Sequence, residues 1–134
     1  MDLGKKILLV DDDPNFREIW KNKLAYEGFE VIEAQNGEEA LKILESTKPD
    51  LILLDILMPN INGVEVFLKI KENPELQNIK VIFITSMDED SEDFELISQY
   101  HKKLAEEIGA IDYLTKAADL DELINKVKSV LSAS

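Results

Sequence analysis

The chain has 134 residues, of which 45% are hydrophobic and 32% are charged, and we expect one globular domain over residues 1–134. It contains no cysteine and one histidine, which excludes disulfides, thiolate metal sites, a cysteine nucleophile and any multi-histidine metal site. The net charge of −13 repels nucleic-acid phosphates and anionic membranes, so we expect no binding to either and favour a cation ligand and a basic protein partner. Neither a membrane span of about 20 apolar residues nor a signal-type apolar stretch is present, which predicts a cytoplasmic protein.

Apolar runs alternate with amphipathic segments along the chain, a pattern typical of βαβ units and a parallel sheet. The first strand is predicted at 7–10, and the helix after it begins at the N-cap Asp13 and ends near Gly28. A second strand at 30–34 leads through a turn into a helix around 40–44. The strands are apolar without alternation, which predicts helices on both faces of the sheet. In chain order, the remaining predicted elements are a strand at 51–54, a helix at 64–72, a strand at 81–84, a helix at 91–108, a strand at 112–115 and a helix at 120–131.

Polar side chains with metal or phosphate chemistry follow the predicted strands. Asp11 and Asp12 follow the first strand, and Asp55 follows the third. Thr85 follows the fourth strand and Lys116 follows the short fifth. The carboxyl ends of parallel strands form one edge of the sheet, where ligands bind in open α/β folds. Two carboxylates ~4 Å apart repel by about 4 kcal/mol at an effective dielectric of ~20, so such a cluster must bind a cation or a proton. With no histidine or cysteine nearby in sequence, Mg²⁺ is the cation that we expect.

The same groups fit phosphoryl transfer. A carboxylate can act as a nucleophile and become an aspartyl phosphate, and the isolated, central Asp55 is the expected nucleophile. We expect Asp12 to bind the metal, with Asp11 in support. The metal and Lys116 would neutralise charge on the phosphoryl oxygens, and the Thr85 hydroxyl would donate a hydrogen bond to the new phosphoryl group.

Several segments resemble the receiver domains of bacterial response regulators. The opening ILLVDDDP (7–14) is similar to the acidic segment of that family, and DILMPNING (55–63) is similar to its phosphoacceptor segment. Thr85 and Ser86 resemble the switch threonine and its small neighbour, while YLTK (113–116) resembles the aromatic switch residue and the lysine. The resemblance covers essentially the whole chain. It suggests a chemotaxis-type single-domain regulator of a bacterial or archaeal two-component system.

The resemblance implies a flavodoxin-like receiver fold, a five-stranded parallel sheet in 2-1-3-4-5 order with helices on both faces. Asp55 would be the phosphorylated aspartate. Asp12 would bind Mg²⁺ directly, together with Asp55 and the backbone carbonyl of Leu57. Asp11 would act on the metal mainly through water.

The resemblance also implies a conformational switch. Thr85 and Lys116 would hold the phosphoryl oxygens. Tyr113 would change rotamer as Thr85 moves, and this change would remodel the output face formed by the fourth helix, the fifth strand and the fifth helix. Phosphorylation would shift the population toward the conformer whose groups pair better with the added charge.

Two features depart from the family pattern. The family usually has proline after its lysine, often through a cis bond, whereas Ala117 follows Lys116 here. Because a cis bond before a non-proline residue costs ~3 kcal/mol, we predict a trans bond with a rearranged loop. The interval from Thr85 to Lys116, 31 residues, is longer than is typical of the family. We expect the extra residues to extend the fourth helix or its acidic leader at 88–93.

The function expected from the residues and the resemblance is a phosphorylation-dependent signalling switch rather than an enzyme. A histidine kinase or a histidine phosphotransfer protein would supply the phosphoryl group, the chain would assist its own phosphorylation and dephosphorylation, and the output would be a protein partner. Two alternatives remain. One is a phosphorylation-independent pseudo-receiver scaffold, which Ala117 leaves open. The other is an Mg²⁺-dependent phosphohydrolase with an aspartate nucleophile, although the chain lacks the Asp-x-Asp-x-Thr pattern of the haloacid-dehalogenase-like phosphatases.

Overall fold

The structure is a computed structural model that describes residues 4–85 and 112–132. Within these ranges the chain forms five strands and four helices. The strands are β1 (Lys6–Val10), β2 (Glu30–Ala34), β3 (Leu51–Asp55), β4 (Lys80–Thr85) and β5 (Asp112–Thr115). The helices are α1 (Pro14–Tyr26), α2 (Gly37–Leu44), α3 (Gly63–Glu72) and the C-terminal helix α4 (Leu120–Ser132). None of these helices is long and apolar enough to cross a membrane.

The five strands form one parallel sheet in the order β2-β1-β3-β4-β5, which confirms the predicted fold class and strand order. Two strands extend further at their carboxyl ends than the sequence predicted. β3 includes Asp55, which pairs in register with Ile84, and β4 includes Thr85, which pairs with Thr115. The reason is that strand pairing continues past the last apolar side chain, so two of the predicted site residues lie in the sheet itself.

Helices cover both faces of the sheet, as the unbroken apolar pattern of the strands predicted. β3 is buried along its whole length, and alternate side chains of β1 point to opposite faces. One face is covered by α1 and the C-terminal helix, and its core includes Leu9, Trp20 and Val127. The other face is covered by α2 and α3, and its core includes Leu8 and Phe67. This two-sided burial fixes the strand ends at which the polar residues lie.

Side-chain caps set the points at which the helices begin. Asp13 is the N-cap of α1, where its carboxylate accepts a hydrogen bond from the Asn15 backbone N–H at 2.9 Å, as predicted. Asn62 caps α3 and forms a capping box with Glu65. At the other end of α1, Gly28 has a φ of +98°, which confirms its predicted role as the helix stop. The cap of α3 matters for the site because α3 begins directly against the end of β3.

One predicted element cannot be compared with the structure. The helix predicted at 91–108, its acidic leader at 88–93 and the proposed extension of this region lie outside the described residues. The same holds for Ser86.

Candidate functional site

The register of the sheet brings the predicted residues to one edge. Val10 pairs with Leu54, so the residues that follow them, Asp11 and Asp55, lie side by side at the ends of β1 and β3. Backbone hydrogen bonds continue beyond the strands, from Asp11 N to the Ala34 carbonyl at 3.1 Å and from Lys116 N to the Thr85 carbonyl at 2.9 Å. The carboxyl ends of four strands therefore hold the acidic residues, the threonine and the lysine in fixed positions.

Three carboxylates form the centre of this site. Asp11, Asp12 and Asp55 each place an oxygen within 4.8 Å of the others. Asp11 and Asp55 are fully buried, whereas Asp12 is exposed. At 4.8 Å and an effective dielectric of ~20, each ionised pair repels by about 3.5 kcal/mol. A small set of carboxylates beside an exposed position is the donor set that Mg²⁺ takes, with water completing its octahedron. The residues therefore fit the predicted metal.

Lys116 supplies the positive charge of the site. Its Nζ atom lies 3.3 Å from Asp55 Oδ2 and 3.3 Å from Asp11 Oδ2. The Phe16 ring covers the ammonium, with its centroid 5.4 Å from Nζ. Burial lowers the pKa of Lys116, but the charges of Asp55 and Asp11 outweigh this effect and raise the pKa above its ordinary value. Lys116 is therefore held as a cation between the two buried aspartates.

The peptide bond between Lys116 and Ala117 is trans, as are all peptide bonds in the described parts of the chain. This confirms the trans geometry predicted from Ala117, whereas the rearranged loop stays a prediction. Lys116 contacts both buried aspartates although it lacks the following proline that is usual in the receiver domains that the chain resembles.

The Asp11 side chain is fixed by a backbone hydrogen bond and by burial. Its Oδ1 atom accepts a hydrogen bond from the Asp13 backbone N–H at 2.8 Å. Burial raises the pKa of Asp11, and this effect exceeds the opposing effects of the Asp13 hydrogen bond and of the Lys116 charge. The charge of Asp12 raises the Asp11 pKa further. Ionised Asp11 is thus less stable here than in water, a cost that a bound cation would offset.

The sequence did not reveal why the site requires glycine at position 63. It lies so close to the Asp55 backbone that a Cβ atom would fall 2.2 Å from the Asp55 carbonyl oxygen. Its N–H donates to the Ile56 carbonyl at 2.8 Å. Its position as the last residue of the DILMPNING segment is the signal that was available. The structure adds that only glycine allows α3 to begin against the Asp55 peptide.

Arg17 is the second residue that sequence reasoning missed. From the first turns of α1, its Nη1 atom donates a hydrogen bond to the Asp11 carbonyl at 2.6 Å, and its Nε atom lies 3.3 Å from Glu33 Oε1 on β2. The available signal was a basic residue near the start of a helix, where the dipole disfavours positive charge. The side chain is only 15% exposed.

The remaining predicted residues lie near the site but are not all joined to it by described contacts. Thr85 is fully buried at the end of β4. Leu57 is partly buried, two positions after Asp55. Tyr113 on β5 stacks on Phe83 with ring centroids 5.9 Å apart, and burial raises its pKa. The structure brings together Asp11, Asp12, Asp55 and Lys116. The roles assigned to these four residues and to Thr85, Tyr113 and Leu57 all stay predictions.

Comparison with known proteins identifies relatives that match nearly the whole length of the chain. The chain is 36% identical over 132 residues to the alkaline phosphatase synthesis transcriptional regulatory protein PhoP of Bacillus subtilis (strain 168), covering 98% of this chain and 50% of PhoP. It is 33% identical over 129 residues to sporulation initiation phosphotransferase F of the same organism, covering 96% of this chain and 95% of that protein. The chain spans about half the length of PhoP and of two other transcriptional regulators that it matches.

The fold comparison agrees with the sequence comparison. The crystal structure of response regulator protein TrrA from Thermotoga maritima in complex with Mg²⁺–BeF superposes with a TM-score of 0.74. The two chains are 40% identical, with 94% of this chain and 98% of TrrA covered. Residues 7–128 match the sequence model of the response regulator receiver domain. The chain therefore belongs to the response regulator receiver domain family.

Proposed function

We propose that the chain is a phosphorylation-dependent signalling switch of a two-component system, in which Asp55 accepts a phosphoryl group from a phosphohistidine. The observation that carries this proposal is the constellation around Asp55, with two further carboxylates and the Lys116 ammonium at the carboxyl edge of the sheet. The donor would be a histidine kinase or a histidine phosphotransfer protein. The chain would act as a phosphoacceptor that assists its own phosphorylation and dephosphorylation, and not as an enzyme with a separate substrate.

Mg²⁺ is the proposed cofactor, held by Asp12 and Asp55 directly, by the Leu57 backbone carbonyl, and by Asp11 mainly through water. The three carboxylates within 4.8 Å support this assignment. The relative TrrA was solved in complex with Mg²⁺–BeF, which supports the same metal for this chain. When bound, Mg²⁺ would neutralise part of the negative charge on the transferring phosphoryl oxygens.

In the proposed transfer an Asp55 carboxylate oxygen forms a bond to phosphorus while the bond from phosphorus to the donor imidazole nitrogen breaks. The electron pair of that bond stays on the leaving nitrogen, and the donor histidine departs as free imidazole. Lys116, already 3.3 Å from Asp55, would pair with a phosphoryl oxygen as its charge develops. Thr85, one residue beyond the partner of Asp55 on β4, would donate its hydroxyl to another oxygen.

The proposed output is a change in the face formed by the helix predicted at 91–108, by β5 and by the C-terminal helix. Tyr113 would move with Thr85, and its ring is partly exposed and stacks on Phe83. An open surface depression of about 460 Å³ lies beside Tyr113, lined by β5 and the C-terminal helix. Its further lining includes Glu122, Asn125, Lys126 and Ser129. A partner protein bound here would sense the position of Tyr113.

The test is the intact mass of the protein after incubation with Mg²⁺ and acetyl phosphate. We expect the wild type to gain one phosphoryl group and Asp55→Asn to gain none. Asp119→Asn is the matched control, because Asp119 is an exposed helix cap whose hydrogen bond from Glu122 N an asparagine can also accept. The control should be phosphorylated at the wild-type rate.

Mg²⁺ binding and phosphate release, measured on the same proteins, separate the alternatives. A wild type that binds Mg²⁺ but gains no phosphoryl group would support the pseudo-receiver scaffold and contradict the switch. Repeated release of phosphate from small phosphate esters, abolished by Asp55→Asn, would support the phosphohydrolase. The close contacts of Lys116 with both buried aspartates favour the switch, since a scaffold has no need of a buried charge cluster.

A further inference from the structure

Arg17 connects the acidic turn at 11–13 to two other elements of the fold. Its guanidinium donates a hydrogen bond of 2.6 Å to the Asp11 carbonyl, while the same group forms an ion pair with Glu33 of β2. Lys21, one turn further along α1, contacts the other oxygen of Glu33 at 3.2 Å. Arg17 is largely buried, and Lys21 is about half exposed. The two basic residues thus share one acidic partner, but only Arg17 reaches the site.

The backbone of Asp11 is held from two sides as a result. Its N–H donates to the Ala34 carbonyl at the end of β2, and its carbonyl accepts from Arg17. A third hydrogen bond, from the Asp13 N–H to Asp11 Oδ1, fixes the side chain. A hydrogen bond to a charged group is stronger than one between neutral groups, so the Arg17 contact is the strongest restraint on the Asp11 peptide.

We propose that Arg17 is a positioning residue for Mg²⁺ binding, which anchors the Asp11 carbonyl to Glu33 so that the carboxylates of Asp11 and Asp12 meet the cation in a fixed geometry. This inference rests on the proposed function in taking Asp11, Asp12 and Asp55 as the Mg²⁺ site. Arg17 touches neither the cation nor the phosphoryl group and acts through the turn at 11–13.

A positioning role and a simple charge effect predict opposite results. If Arg17 acted only as a positive charge near the site, its removal would relieve repulsion of Mg²⁺ and strengthen binding. If Arg17 fixes the ligands, its removal frees the turn, and the loss of such an outer contact typically weakens metal affinity by about 10–100-fold. A merely structural role would lower the free energy of unfolding and leave the Mg²⁺ affinity unchanged.

The experiment is isothermal titration of the protein with Mg²⁺ alone, run on the wild type, Arg17→Met and Lys21→Met. Both variants remove one positive charge from α1 and one partner from Glu33, but only Arg17→Met removes the contact with Asp11. We expect the dissociation constant of Arg17→Met to rise about 10-fold or more, and that of Lys21→Met to stay within about twofold of the wild type or to fall. Urea unfolding in EDTA, on the same proteins, measures stability separately.

Two more variants keep the test decisive if Arg17→Met fails to fold. Arg17→Lys retains the charge but replaces the two guanidinium nitrogens that contact Asp11 and Glu33 by a single ammonium, and Glu33→Gln removes the negative charge that anchors the guanidinium. Both should weaken Mg²⁺ binding, by less than Arg17→Met. Equal affinity in the wild type and these Arg17 variants would overturn this inference alone. Failure of the wild type to bind Mg²⁺ would overturn the proposed metal site and this inference with it.

Discussion

The contact of Gly63 with the Asp55 peptide leads to a sharp prediction for Gly63→Ala. The new Cβ atom would lie 2.2 Å from the Asp55 carbonyl oxygen and 2.9 Å from both the carbonyl carbon and the Ile56 Cα. All three atoms belong to the backbone, so no side-chain rotation can relieve the clash. The start of α3 or the end of β3 must move instead.

The size of the effect follows from these distances. An ordinary contact to a Cβ atom begins at 3.4 Å, so the two segments must separate by about 1 Å. Such overpacking typically costs about 1–3 kcal/mol, and the better helix propensity of alanine returns less than about 1 kcal/mol of it. We therefore expect the free energy of unfolding to fall by about 1–2 kcal/mol. A misplacement of about 1 Å can also slow a reaction by as much as 10²-fold, so phosphorylation of Asp55 should slow markedly.

Urea unfolding and the rate of phosphorylation by acetyl phosphate, followed by intact mass, measure the two effects. Lys69→Ala is the control, because Lys69 is exposed on the same helix and its replacement should change stability by less than about 0.5 kcal/mol. If Gly63→Ala unfolds at the wild-type urea concentration and is phosphorylated at the wild-type rate, the close approach of α3 to Asp55 does not constrain the site.

Four further predictions concern charge, metal and stability. Mg²⁺ at 100 times its dissociation constant should raise the free energy of unfolding by about 2.7 kcal/mol in thermal unfolding, an effect reversed by EDTA and lost in Asp12→Asn. Lys116→Met should destabilise the metal-free protein to urea by about 1–3 kcal/mol, because two buried carboxylates lose their cation, and Mg²⁺ should restore part of this loss. Asn62→Ala should cost about 1 kcal/mol in urea unfolding by removing the capping box of α3. Burial raises the pKa of Asp11 in the folded protein above its ordinary value of 3.8. The contribution of Asp11 to the free energy of unfolding therefore falls as the pH rises from 3.8 through the folded-state pKa. Urea unfolding in EDTA should therefore show Asp11→Asn gaining stability relative to the wild type over this pH range.

The strands were predictable because burial on both faces leaves a direct record in the sequence. The run at 51–54 is apolar at every position, as a central strand between two helical layers must be, and β3 was found there. The order of the strands was not contained in that pattern. Hydrophobic runs specify that strands are buried but not which strands are neighbours, so the 2-1-3-4-5 order came from the resemblance to receiver domains.

The site was predictable where position along a strand decides it. Asp11 and Asp55 lie together because the strands that carry them are paired, and strand ends can be read from the sequence. The contacts of Arg17 depend instead on how α1 is rotated over the sheet, and those of Gly63 depend on how closely α3 approaches β3. The ring of Phe16 over the Lys116 ammonium has the same origin. Such contacts depend on how a helix is placed against the sheet, and no local sequence pattern marks them.

The charge of the site links the metal, the lysine and the phosphoryl group. Three carboxylates and one ammonium leave about two net negative charges at the edge of the sheet. Phosphorylation of Asp55 replaces one carboxylate charge by a group that carries about −1.5 to −2, so the total approaches −3. A divalent cation reduces this to about −1, which neither the cation nor Lys116 achieves alone. Because the ion pairs of Lys116 with Asp11 and Asp55 direct its ammonium into the site, we infer that the alanine after it does not prevent the lysine from serving this charge balance.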